Sequence, residues 1–211
     1  MAGPLVAHDI ITTKLTYTRD ISRIFARRCV SCHGKGSKVS LTTYEEVRPW
    51  AVAIKEQVIA RTMPPWGALK GFRDLEPDDA LTEAEIQIIS AWVVGGAPRG
   101  DVALLPEHGP KAPPHRKSEL HDAVTVPTRV VLKRSLTVAG IRPQPENLIE
   151  STRITAHLPN GRVEPLLWLF RYDPKWNRVF RFRRPLTLPR GTVIEASAPL
   201  QYSLESPAKA P

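Results

Sequence analysis

Two cysteines are all that this 211-residue chain possesses, and of its two methionines one is Met1. With Cys29 and Cys32 as the only thiols, a multi-bridge disulfide framework and a four-cysteine zinc site are both excluded. Of the six histidines, all but His33 are scattered: His8, His108, His115, His121 and His157 stand singly, with no His-x₃-His pair to complete a tetrahedral metal site. No apolar run approaches the roughly 20 residues of a membrane-crossing helix. The opening stretch, Met1 to Ala7, lacks the basic start of a secretory signal. Acidic residues are outnumbered 21 to 30, giving a net charge of +9. The excess is uneven: residues 1–100 hold 13 basic and 11 acidic side chains (+2), residues 101–211 hold 17 and 10 (+7). No nucleic-acid motif accompanies that charge, which favours a solvated basic face or docking to an acidic partner.

What the chain does have is Cys29-Val30-Ser31-Cys32-His33. A redox dithiol of this spacing belongs between a strand and a helix of a βαβ unit, and no such pattern surrounds it. A zinc half-site lacks its other half, and a plain disulfide leaves His33 unexplained. Two thiols at this spacing can each add to a vinyl group of haem while the adjacent imidazole reaches the iron, and the run is read as haem attachment.

A second axial ligand, if a thioether, can only be Met63, thirty positions beyond His33 and followed by Pro64 and Pro65. The prolines suit a ligand held by a stiff loop instead of a helix. The competing reading is a methionine filling a gap in the core. His8 is the other candidate ligand. Trp50 and Trp66 are candidates for the lining of a haem pocket, and Arg61 for pairing with a propionate. A His/Met pair leaves no open coordination position, so electron transfer is expected in preference to catalysis.

The spacing of Ile21, Ile24, Phe25 and Arg28 predicts a helix delivering the chain into Cys29. Thr43 with Glu46 and Thr82 with Glu85 are capping-box pairs for two further helices, one ending near Arg61, the other running over Glu83 to Val94 and stopped by Gly95-Gly96. The period then changes. Residues 130–138, 151–158, 163–171, 178–183 and 192–197 read as strands, with a hairpin turn at Asn160-Gly161 and another turn at Asp173-Pro174. The expected fold class is α+β in two domains. An all-α, class I-like cytochrome c domain would occupy 1–100, a Pro-rich linker 101–127, a small antiparallel β-sandwich 128–198 and a flexible tail 199–211.

Cys29 to His33, Leu41 to Ala51, Arg61-Thr62-Met63-Pro64-Pro65-Trp66 and Leu81 to Pro98 together resemble the bacterial cytochrome c domains fused to copper type II, ascorbate-dependent monooxygenase-like modules. The resemblance spans nearly all of residues 15–101 and implies His33 and Met63 as the axial ligands of one covalent haem c. The second half is similar, more weakly, to the C-terminal β-sandwich of those monooxygenase modules. The similarity rests on Ile154 to Gly161, Pro165 to Trp168, Trp176-Asn177 and Leu188 to Thr192. It departs where that family keeps copper ligands: Gln144-Pro145-Glu146 stand in place of a His-x-His pair, and no methionine follows Met63. His157 alone cannot hold copper, so no copper is expected.

The resulting expectation is a mono-haem electron carrier, not an enzyme. Its β-domain would dock a redox partner through the cations at 171, 175, 178, 181, 183, 184 and 190. No membrane span and no nucleic-acid partner are expected. Because haem is normally attached outside the cytoplasm, a periplasmic or otherwise exported location is expected. A haem-fed copper monooxygenase and a haem-based gas or redox sensor are the alternatives.

Overall fold

The computed structural model describes residues 13–106 and 122–207. His8, His108, His115 and His121 lie outside the described residues. Two compact units emerge, and the chain does not divide between them at one point: Met1–Ala60 and Leu81–His115 form the first, Arg61–Ala80 and Arg116–Pro211 the second.

In the first unit a π-helical turn, Tyr17–Ile21, leads into α1 (Ser22–Arg28). α2 (Tyr44–Val47) begins at a complete capping box, Thr43 with Glu46. Pro49 sits in a one-turn 3₁₀ segment, Arg48–Trp50, where its missing N–H costs nothing, and α3 (Ala51–Ile59) follows. α4 (Glu83–Val94) carries the second capping box, Thr82 with Glu85. Ile21, Ile24, Phe25, Val47, Val58, Ile86, Ile89 and Trp92 form the core. Two backbone bonds, Tyr17 N–H to Pro98 O and Thr18 N–H to Arg99 O, both 3.0 Å, tie the chain after α4 back to the start.

The second unit holds β1 (Ala123–Val126), β2 (Arg129–Val131), β3 (Leu136–Gln144), β4 (Ile149–His157), β5 (Val163–Tyr172), β6 (Phe180–Leu188), β7 (Val193–Ala196) and β8 (Gln201–Glu205). All pairings are antiparallel, in two four-stranded sheets of order β1-β8-β3-β6 and β2-β7-β4-β5. One core joins inward residues of both sheets, among them Val138, Ile141, Phe180 and Tyr202 from the first and Ile154, Leu167, Tyr172 and Ile194 from the second. The Asn160-Gly161 turn links β4 to β5, with Gly161 at φ 83°, where glycine carries no Cβ penalty.

These findings overturn the expected fold class. Two antiparallel four-stranded sheets dominate, the helices are short, and the described residues 13–100 do not form an all-α cytochrome domain. The physical reason is residues 61–80, which fold with the sheets. Leu69 N–H donates to Trp168 O and Phe170 N–H to Gly67 O, so the segment lies along β5, the edge of one sheet. Glu76 N–H donates to Arg181 O and Arg183 N–H to Asp74 O, so it then lies along β6, the edge of the other. Trp66, Ala68, Leu75 and Ala80 enter the sheet core as it passes. The expected tail is likewise replaced in part by β8, whose Tyr202, Ser203, Leu204 and Glu205 are all buried. β1 falls inside the expected linker, and 107–121 of that linker lie outside the described residues. Residues 130–138 are two strands, broken at Leu132 to Ser135.

Candidate functional site

α1 buries Ile24 and Phe25 and ends where Cys29 becomes its C-cap, with the Cys29 N–H donating to Phe25 O at 2.9 Å. The Cys29 carbonyl then accepts from both Cys32 N–H (3.1 Å) and His33 N–H (2.9 Å). One tight turn therefore carries both sulfurs and the imidazole. Cys29 and Cys32 are both thiols, the first half-buried and the second exposed.

The loop after the turn folds back on His33. Leu41 N–H donates to His33 O at 2.9 Å, and His33 Nδ1 lies 2.9 Å from Val39 O, which also accepts from the Ser37 hydroxyl at 2.8 Å. A carbonyl can only accept, so Nδ1 is the donor, and the tautomer compatible with this bond has its lone pair on Nε2. Metal-ligating histidines are held in this manner, by a hydrogen bond from the other ring nitrogen.

Burial pushes the Cys29 thiol up to about 12, with the Glu85 carboxylate adding to the effect. That is the reverse of a catalytic dithiol, whose attacking cysteine needs a lowered value. Among the described residues no group of three or more His, Cys, Asp or Glu side chains is placed to hold a metal ion, so the turn is not part of a zinc cluster there. A planar prosthetic group taking two thiols and one imidazole matches the donors present.

Glu85 secures the turn from behind. Its carboxylate caps α4 through Thr82 N–H (2.8 Å) and lies 3.4 Å from Arg28 Nε and 3.6 Å from Arg27, the two residues before Cys29. Burial raises this carboxyl, but the Thr82 N–H and the Arg28 guanidinium outweigh it and hold it below the usual carboxylate range. The capping box was legible in the sequence; nothing in the spacing announced the arginine pair.

The other sequence candidates divide between the two units. Trp50 is 46% exposed on the 3₁₀ turn before α3. Met63 belongs to the second unit and is 41% exposed, which rules out the core-filling reading. Trp66 is 3% exposed, edge-on to Phe180 at 5.1 Å and beneath the Arg178 guanidinium at 5.4 Å. It is a core residue of the sheet unit. Arg61 adopts φ 55° at the start of the same segment. On the sheets, His157 Nε2 lies 3.2 Å from both Glu195 and Thr155.

The expected docking face also changes. Arg178 pairs with Asp79, Arg181 with the buried Glu205 and Arg183 with Glu76. These three have carboxylate partners within their own unit, while Lys175, Arg184 and Arg190 form no ion pair among the described residues. No helix among the described residues is long and apolar enough to cross a membrane. Compared with family profiles, curated proteins and solved structures, the chain matches none.

Proposed function

We propose that this chain binds one haem covalently through Cys29 and Cys32, ligates its iron with His33 and passes single electrons to a partner protein. The observation that carries this reading is the His33 Nδ1 contact with Val39 O, which leaves Nε2 available as a ligand atom on a turn shared with two thiols. When bound, the haem supplies a one-electron iron couple whose potential its axial ligands and surroundings set. The chain's own part is to fix the imidazole tautomer, to hold the two sulfurs on one turn and to keep the motif anchored at the end of α1.

For the sixth position we retain the sequence's candidate, Met63, the only internal methionine. Were Met63 to ligate the iron beside His33, the haem would supply one-electron chemistry with no position open to a substrate, which supports reading the chain as an electron carrier in preference to an enzyme. Haem attachment, which normally takes place outside the cytoplasm, favours an exported location, and the chain's basic half suits an acidic redox partner.

The test is expression with a cytochrome maturation system, followed by denaturing electrophoresis with haem staining and a pyridine haemochrome spectrum. Haem that stays with the denatured chain supports the reading. Carbon monoxide added to the ferrous protein then reads the sixth ligand: a small Soret change fits a thioether that stays bound, and a large one fits an open or labile position.

A further inference from the structure

Two crossovers between the sheets run side by side at one end of the second unit. Residues 132–135 lead from β2 to β3, and residues 189–192 from β6 to β7. They are pinned together by backbone bonds: Leu132 N–H to Thr192 O (2.9 Å) and Gly191 N–H to Leu132 O (2.8 Å). The buried Thr192 hydroxyl closes its own loop on Pro189 O at 2.8 Å, and the Ser135 hydroxyl donates to Leu188 O at 3.1 Å. Three cations, Lys133, Arg134 and Arg190, stand exposed on this doubly anchored frame.

Their grouping distinguishes them: Arg142, Arg153, Lys175 and Arg184 also form no ion pair among the described residues, but they stand apart on β3, β4, the 3₁₀ turn Pro174–Trp176 and β6, whereas these three share two loops joined by backbone bonds. The sheet unit's other arginines are largely spent internally: Arg73 and Arg162 on Glu164, Arg129 on Glu195, and Arg178, Arg181 and Arg183 as above. Among the described residues Lys133, Arg134 and Arg190 form no ion pair. A charge already paired contributes almost no field at a distance, whereas three uncompensated charges on adjoining loops add up and steer an oppositely charged body. Holding them on a hydrogen-bonded frame lowers the entropy lost when a partner docks.

We propose that the paired loops 132–135 and 189–192 are the docking site for an acidic protein surface, with Lys133, Arg134 and Arg190 as its charged contacts. This deepens the electron-carrier reading, and it replaces the wider arginine face expected from the sequence. The class of partner follows from the chemistry: three fixed cations without an aromatic side chain among the loop residues suit clustered carboxylates, while single-stranded nucleic acid would call for stacking rings.

The test uses the full chain and a short poly-glutamate peptide as the acidic probe, with binding followed by two-dimensional NMR. Wild type is expected to bind at about 0.01 M ionic strength, with shifts confined to the two loops, and to weaken steeply by about 0.15 M as the screening length falls from about 30 to about 8 Å. The K133Q/R134Q/R190Q variant should weaken binding by about tenfold or more. The K175Q/R183Q/R184Q variant, which loses the same formal charge elsewhere, should stay within about twofold of wild type. Equal weakening by both variants, no binding at low salt, or tighter binding of a DNA oligonucleotide than of the peptide would each overturn the proposal. None of these outcomes depends on whether haem is attached, so a failure here is separable from a failure of the haem reading.

Discussion

His33 Nδ1 and the carbonyl oxygen of Val39 stand 2.9 Å apart, and that single contact orients the chain's one motif-borne imidazole. The loop between them, Gly34 to Lys38, is short and polar, and Ser37 shares the same acceptor. The contact makes Nδ1 the donor, the kind of hydrogen bond that fixes the tautomer of metal-ligating histidines.

The two thiols should behave unequally in the haem-free protein. Cys32 is exposed, while burial and Glu85 push Cys29 up to about 12. Alkylation at neutral pH should label Cys32 first, and mass spectrometry of partly labelled peptides checks this. Equal rates, or faster labelling of Cys29, would contradict the environment described for α1's end.

Trp66→Ala should destabilise the sheet unit by about 3–5 kcal/mol, the usual cost of emptying a buried tryptophan site. Urea unfolding followed by circular dichroism measures it. A tryptophan that served only as a pocket wall would instead leave stability nearly unchanged.

Glu85 makes part of the first unit's stability dependent on acid. Its folded-state carboxyl lies below the ordinary value, so its contribution is present above the unfolded-state pKa, near 4.3, and is lost as pH falls through the lower folded value. Glu85→Gln should flatten the decline in thermal stability below about pH 4.3. A melting profile for this variant that falls with acid as steeply as wild type would rule out the assignment.

Arg181→Ala should cost about 3–5 kcal/mol, because it takes the guanidinium away from the carboxylate of Glu205, 3% exposed, which accepts two 2.9 Å bonds from it. Chemical denaturation at neutral pH gives the value. The double variant R181M/E205L removes both charges and should recover much of the loss. A double variant no better than the single one would contradict the explanation.

The local signals in the sequence fared better than its larger outline. Both capping boxes depend on residues three apart, and Thr43 with Glu46 and Thr82 with Glu85 form as the spacing predicts. The Asn160-Gly161 hairpin is equally local. Residues 61–80 were misassigned because their destination is set by partners far away in sequence: Trp66 meets Phe180, and Gly67 lies against Tyr172 and Trp176. β8 was hidden by Pro199, Ser206 and Pro207 around it, and its pairing with β1 and β3 spans more than 50 residues. The basic run 171–190 read as one face because its carboxylate partners, Glu76, Asp79 and Glu205, lie outside it. The motif Cys29 to His33 was legible in full, and the Val39 carbonyl that orients it was not.

The central claim is covalent haem on Cys29 and Cys32, and the pyridine haemochrome spectrum of denatured protein tests it most directly. Wild type should show the α-band of haem joined by two thioether bonds. Cys32→Ala should move that band to longer wavelength or lose it, and Cys29→Ala/Cys32→Ala should retain no haem after denaturation. Wild-type protein that leaves a cytochrome maturation system without bound haem would contradict the account.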